Sequence, residues 1–226
     1  MQKTKGLSGN QLKLIALAAM TVDHIGVQFF PNVLLLRIIG RLALPIFAYM
    51  IAQGCRYTRN KARYLGTIAA VAALCQVVYF VAMGSLYQCI LVTFSLSIGL
   101  IYVLEDAIRS PRFHKTSFAA LSLAAVYALC EVLPRYLPGF YVDYGFAGVM
   151  LPVLIRLGKQ KWQSILLCGI GLVFLSIGNS VQWFSLLALP LLILYNGTRG
   201  KHKMKYLFYI YYPAHLALLY LISLFI

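Results

Sequence analysis

Hydrophobic residues fall along this chain in long, nearly unbroken blocks, separated by short polar or Pro/Gly-marked breaks, instead of the one-faced periodicity of a soluble helix bundle. The blocks read as helices near residues 12–30, 33–54, 64–82, 88–104, 117–133, 141–157, 162–178, 181–195 and 206–226. A helix needs about 20 apolar residues to cross the hydrocarbon core of a bilayer, and most of these blocks approach that length. The pattern predicts an all-α, polytopic integral membrane bundle of about nine transmembrane helices, within a range of roughly eight to ten. It is read as one domain over residues 1–226.

Composition strengthens this reading. Hydrophobic residues make up 62% of the chain and charged residues 11%, with a mean hydropathy of +0.82, so a water-soluble fold of this length would expose too much apolar surface. The net charge of +15 would suit a nucleic-acid binder only if the cations shared one surface. They alternate between connections instead. Lys3 and Lys5; Arg56, Arg59, Lys61 and Arg63; Arg109, Arg112 and Lys115; Arg156, Lys159 and Lys161; and Arg199, Lys201, Lys203 and Lys205 form one set, while the intervening connections carry only Arg135. The positive-inside rule then places the N-terminus in the cytoplasm and the C-terminus on the opposite side, with the lipid bilayer as partner and no nucleic acid. The first span reads as retained, because no small-residue cleavage site follows it and Asp23-His24 interrupts its apolar run. The five cysteines stand singly, without CxxC or histidine partners at ligand spacing, and predict neither a disulfide framework nor a metal site.

Four ionisable residues break the apolar pattern near the start: Asp23, His24, Arg37 and Arg41. Each costs about 2.5–3.5 kcal/mol at mid-helix on insertion scales, so such residues normally face the protein interior or a hydrated cavity. Lys13 and His24 are eleven positions apart, three helical turns with about 20° of offset, so they share a face with Leu17 and Met20 between them. Asp23 points about 100° away from His24. Arg37 and Arg41 lie one turn apart on the second span, which the turn at Pro31-Asn32 makes an antiparallel neighbour of the first. An Asp23–Arg41 or Asp23–Arg37 ion pair is expected, either as a packing pin or as part of a reactive centre. Pro45 predicts a bend in the second span.

The last span adds His215, on one face with Tyr211 and Tyr212, at a depth similar to that of His24. The preceding YNGTRG stretch, with Asn196 and Arg199, has the glycine-flanked cationic character suited to phosphate, without the P-loop pattern. Elsewhere Gln76, Thr93, Ser95 and Ser97 are expected to bond between helices, Glu131 to pair with Arg135, and Asp143 either to border a cavity or to cap a helix. A mid-membrane Asp-His-Arg cluster, with His215 at similar depth, reads as a reactive or transport centre able to carry a proton, one alternative being a proton-coupled small-molecule transporter using the cluster as a relay.

In this order and spacing, TVDHIG, LRIIGRLALPIFAYMIAQG, the DYG at 143–145, LLALPLLILYNGTRG and KYLFYIYYPAH resemble the TraX family over residues 12–216. That family is known for N-acetylation of conjugative pilin. It is in turn similar to a wider transmembrane acyltransferase group, whose first helix carries Arg or Lys and, after ten intervening residues, a histidine essential for transfer. Lys13 and His24 match that spacing, and Gln53 stands where an acidic residue is common. The resemblance implies a multi-pass protein of the bacterial cytoplasmic (inner) membrane that moves an acyl group from acetyl-CoA or another acyl-CoA, with no metal. The acceptor would be a pilin, glycan, peptide or small molecule. His24 would be the base, oriented by Asp23, with Arg37, Arg41 or His215 stabilising the oxyanion. Lys13, Arg56, Arg59, Arg63, Asn196, Arg199 and Tyr212 are the candidates for holding coenzyme A.

Overall fold

A computed structural model describes residues 6–201 and 204–225, so Lys3, Lys5 and Lys203 lie outside the described residues. Its elements are helical: α1 (Gly9–Phe29), α2 (Leu34–Gly40), α3 (Ala43–Tyr57), α4 (Lys61–Met83), α5 (Ile90–Arg109) and α6 (Phe113–Tyr127). A π-helical turn (Ala128–Val132) leads into α7 (Leu133–Tyr136), then α8 (Gly145–Leu157) and α9 (Lys161–Ser176). A 3₁₀-helix (Ser180–Ala188) runs into α10 (Leu189–Ile193), and α11 (Lys205–Ser223) follows. Isolated bridges at Leu7–Tyr195 and Gln88–Val142 are the only extended pairings among the described residues.

Among the described residues, five segments are long and apolar enough to cross a bilayer: Gly9–Phe29, Leu34–Tyr57, Lys61–Val81, Ile90–Arg109 and Phe113–Tyr136. Gly145–Leu157, Lys161–Ser176, Ser180–Ile193 and Leu207–Ser223 are apolar but shorter. The chain is therefore an all-helical membrane protein, in which five of the predicted blocks reach full crossing length. Side chains such as Phe80, Leu121 and Phe113 (59, 67 and 90% exposed) are the ones a bilayer would cover.

Local chemistry explains the element boundaries. Ser8 and Gln11 form a reciprocal capping box at the start of α1, and the Asn60 side chain accepts from the Arg63 amide to start α4. Gly84 ends α4 in the left-handed region, at φ +59°. The second span is interrupted at Arg41-Leu42, earlier than a bend at Pro45 itself would suggest. Proline lacks an N–H and its ring clashes with the carbonyl four residues back, which here is that of Arg41.

Contacts divide the chain into two compact units, Met1–Met50 with Gly158–Ile226, and Ile51–Leu157. In the first, α1 packs on α2 and α11, and α9 and α2 both pack on the 3₁₀-helix. The start of the chain is clasped there by the segment after α10. The Leu7 amide donates to the Leu194 carbonyl and the Asn196 amide to the Leu7 carbonyl, at 2.8 and 2.9 Å. The Gly9 and Asn10 amides donate to the carbonyls of Thr198 and Arg199 at 2.8 and 3.0 Å, which satisfies free donors of the first turn of α1.

In the second unit α5 is central, contacting α4, α6 and α8. Ser97 donates to the Val149 carbonyl of α8 at 2.8 Å, and Thr93 to the Asp143 carbonyl at 2.8 Å. Ser95 bonds within its own helix, to the Leu91 carbonyl, and Gln76 bonds the Tyr87 carbonyl and the Cys89 amide of the 84–89 connection. Glu105 gathers Lys61 at 3.1 Å, Arg109 at 3.8 Å and Arg156. The expected Glu131–Arg135 pair does not form among the described residues. Glu131 instead accepts from the Phe146 amide at 2.9 Å and caps α8, where a part-buried donor at a helix start outbids an exposed charge. The Tyr87 hydroxyl bonds the Asp143 carboxylate, and burial together with that negative charge pushes the phenol well above its ordinary pKa.

Candidate active site

Within the first unit, α1 supplies Asp23 and His24, α2 and the break after it supply Arg37 and Arg41, and α11 supplies His215. Both anticipated ion pairs form. Arg37 Nη1 donates to Asp23 Oδ1 at 2.9 Å, and Arg41 Nη2 donates to both carboxylate oxygens at 3.0 Å. Arg41 is also anchored through Nη1 to Gln182 Oε1 at 3.1 Å and through Nε to the Arg37 carbonyl at 3.4 Å. The side chains of Arg41 and Asp23 are 8 and 15% exposed, whereas that of Arg37 is 32% exposed. Close approach of α1 and α2 depends on Gly40, where a Cβ would overlap Cβ, Cγ and Oδ1 of Asp23.

His24 is oriented differently from the expectation. Asp23 is occupied by the two guanidiniums, and His24 Nδ1 lies 2.8 Å from His215 Nε2. The two rings are within 7° of parallel with centroids 5.0 Å apart. Nitrogens at hydrogen-bond distance at that centroid separation mean that the imidazoles meet edge to edge in one plane, because face-to-face rings keep van der Waals separation. Asp23 fails as the orienting acid because adjacent residues on a helix point about 100° apart.

Polar bonds around the pair fix α11 against α1. Thr21 Oγ1 donates to the Leu17 carbonyl at 2.9 Å, which uses its one proton, so the Tyr211 hydroxyl donates to Thr21 Oγ1 at 2.6 Å. His215 Nδ1 donates to the Tyr211 carbonyl at 3.0 Å. The Tyr212 ring meets His215 edge-on at 5.3 Å, which places this coenzyme candidate at the imidazole pair and not at a cationic site.

The remaining coenzyme candidates fall into two groups. Lys13 Nζ lies 5.2 Å from the centroid of the Phe208 ring, with Arg199 as a neighbouring charge. Neither cation makes an ion pair among the described residues. Asn196 shapes its own loop, donating to the Gly6 carbonyl and accepting from the amide and hydroxyl of Thr198. The loop turns carbonyls, not amides, toward α1. Arg56, Arg59 and Arg63 belong to the second unit, at the end of α3 and the start of α4, with Arg59 and Arg63 exposed.

The family model described as "TraX protein" matches residues 8–223. The chain belongs to the TraX family. The chain is similar to the protein named "Probable fimbrial assembly protein FimC, serogroup H1" of Dichelobacter nodosus, 28% identical over 97% of each chain. An uncharacterized protein of Rickettsia prowazekii (strain Madrid E) is 27% identical over 80% of this chain and 66% of its own length. No solved structure matches.

Sequence reasoning missed two members of the site in this TraX protein. Gln182, 1% exposed, lies near the start of the 181–195 block. An amide inside an apolar block is itself a signal that a buried partner exists. Thr21 lies one turn after Leu17 and one before His24, on the stripe already identified, but a threonine bonding back to its own helix leaves no mark in the pattern.

Proposed function

We propose that this TraX protein is an acyl-CoA-dependent acyltransferase of the bacterial inner membrane. It moves an acyl group, in the first place acetyl, to an amine or hydroxyl acceptor. The observation that carries the reading is the in-plane His24–His215 pair, held among apolar helices beside two guanidiniums that share one carboxylate. Such a site offers a neutral base next to an excess positive charge, the combination that acyl transfer needs.

The residues fit a coenzyme A thioester. Lys13 and Arg199 are cations without a carboxylate partner among the described residues, suited to the donor's phosphates. Bound acyl-CoA supplies an activated carbonyl with a thiol leaving group. His24 accepts the proton of the acceptor N–H or O–H as the new bond to the acyl carbon forms, and returns that proton to the departing sulfur as the C–S bond breaks. Arg37 spends Nη1 on Asp23 and its side chain makes no other hydrogen bond among the described residues, so its remaining N–H groups are the donors for the acyl oxygen. Arg41 spends Nε and both terminal nitrogens on Arg37, Gln182 and Asp23, and acts as the brace behind it. The cationic connections favour donor entry from the cytoplasm. Kinship with a protein named for fimbrial assembly favours a pilin-type acceptor over a glycan or small molecule.

The test uses purified protein in detergent or nanodiscs with labelled acetyl-CoA and a pilin N-terminal peptide. Acetyl-CoA should raise the melting temperature, and coenzyme release should depend on the peptide. His24→Ala should keep the melting shift and lose release by at least a hundredfold, in line with the ~10²–10⁴-fold typical of general-base catalysis. Wild-type rates in His24→Ala would overturn the assignment.

A further inference from the structure

The hydrogen bonds at His215 have a direction, and it determines which nitrogen of His24 carries a proton. A backbone carbonyl only accepts, so His215 Nδ1, 3.0 Å from the Tyr211 carbonyl, carries the hydrogen of a neutral imidazole. Its Nε2 is then a lone pair lying in the ring plane. That lone pair faces His24 Nδ1 at 2.8 Å, with the rings within 7° of parallel. His24 must therefore donate from Nδ1, which leaves Nε2 as its basic nitrogen.

We propose that His215 is a positioning residue that locks His24 as the Nδ1–H tautomer, so that Nε2 is the nitrogen that takes the acceptor's proton. This rests on the reading of His24 as the base. It also removes His215 from the oxyanion role, because both of its nitrogens are already engaged. The geometry assigns the orienting function, which a carboxylate often performs for a histidine, to a second imidazole whose own tautomer is set by the backbone of α11. Tyr211 contributes twice: its carbonyl sets His215, and its hydroxyl, through Thr21, holds α11 in register with α1.

Two consequences distinguish this from simple packing. Gln at position 215 presents an amide oxygen that can accept from His24 Nδ1, whereas Phe fills the volume without an acceptor. In ¹⁵N spectra of protein labelled at histidine, wild type and His215→Gln should show His24 with a protonated-type Nδ1 and a bare-type Nε2, assigned by loss of the signals in His24→Ala. His215→Phe should give a mixture of tautomers or the reverse form. Transfer should fall at least tenfold in kcat, with little change in KM, in His215→Phe and recover at least partly in His215→Gln. If His215→Phe leaves the His24 tautomer unchanged, or if wild type shows a bare Nδ1, the proposal is wrong. Should the tautomers behave as stated while His24→Ala retains transfer, the positioning stands and the catalytic reading fails. Melting curves of both variants confirm folding before either readout is interpreted.

Discussion

Asp23→Asn removes one negative charge and leaves two guanidiniums around an amide that cannot neutralise them. Three charge-assisted hydrogen bonds are lost or weakened, two from Arg41 and one from Arg37. Unpairing a buried ion pair costs about 3–5 kcal/mol. The two arginines do not contribute equally. Arg41, 8% exposed and braced by Gln182, cannot turn outward, whereas Arg37, 32% exposed and four residues into the second span, has room to reorient toward the membrane boundary, and its share falls toward the ~0–1 kcal/mol of surface pairs. We expect Asp23→Asn to destabilise the protein by about 3–5 kcal/mol, most of it through Arg41. Double-mutant cycles with Arg37→Gln and Arg41→Gln, read by SDS titration in mixed micelles, should give a coupling of about 2–3 kcal/mol for Asp23–Arg41 and under about 1 kcal/mol for Asp23–Arg37. Equal couplings, or an Asp23→Asn variant within about 0.5 kcal/mol of wild type, would refute the reasoning that burial ranks the two pairs.

Gly40→Ala should force Asp23 away from α2 and cost about 1–3 kcal/mol, visible as a lower melting temperature in detergent, because the added Cβ would overlap that side chain. Glu105→Gln should lower stability by about 2–4 kcal/mol in the same assay, since Arg156 at 21% exposure loses its carboxylate, while Arg109 at 69% loses little. Lys13→Ala and Arg199→Ala should each weaken coenzyme A binding by roughly tenfold in calorimetry, about 1.4 kcal/mol apiece, with the effect shrinking at high salt. An unchanged Kd in both would remove these cations from the donor site.

The hairpin of the first two spans was legible because its charges constrain one another. Asp23 needs a cation at its own depth, and the Pro31-Asn32 turn leaves only Arg37 and Arg41 within reach. Depth alone also placed His215 near His24. Rotation of α11 about its axis was not legible, so the direct nitrogen contact, and with it the replacement of Asp23 as orienting group, appeared only in three dimensions. The role of Glu105 was hidden for a similar reason. It lies just past the apolar block ending at 104, so it looked like loop charge, yet it binds cations from α4, α5 and α8. The 3₁₀ path of Ser180–Ala188 was equally unreadable, since an apolar block has the same composition whichever helix it forms.

The clasp between the start of the chain and the segment after α10 sets a timetable for biogenesis. Leu7, Gly9 and Asn10 cannot meet their partners at 194–199 until most of the protein has left the ribosome. His24 must wait for His215, 191 positions later, which at about 5–20 residues per second is on the order of tens of seconds. The Asp23 pairs span only 14 and 18 positions and can close as soon as the first hairpin enters the bilayer. Charge neutralisation therefore comes first and the paired imidazoles last, so a prematurely ended chain can be inserted and electrically quiet without ever acquiring its reactive centre.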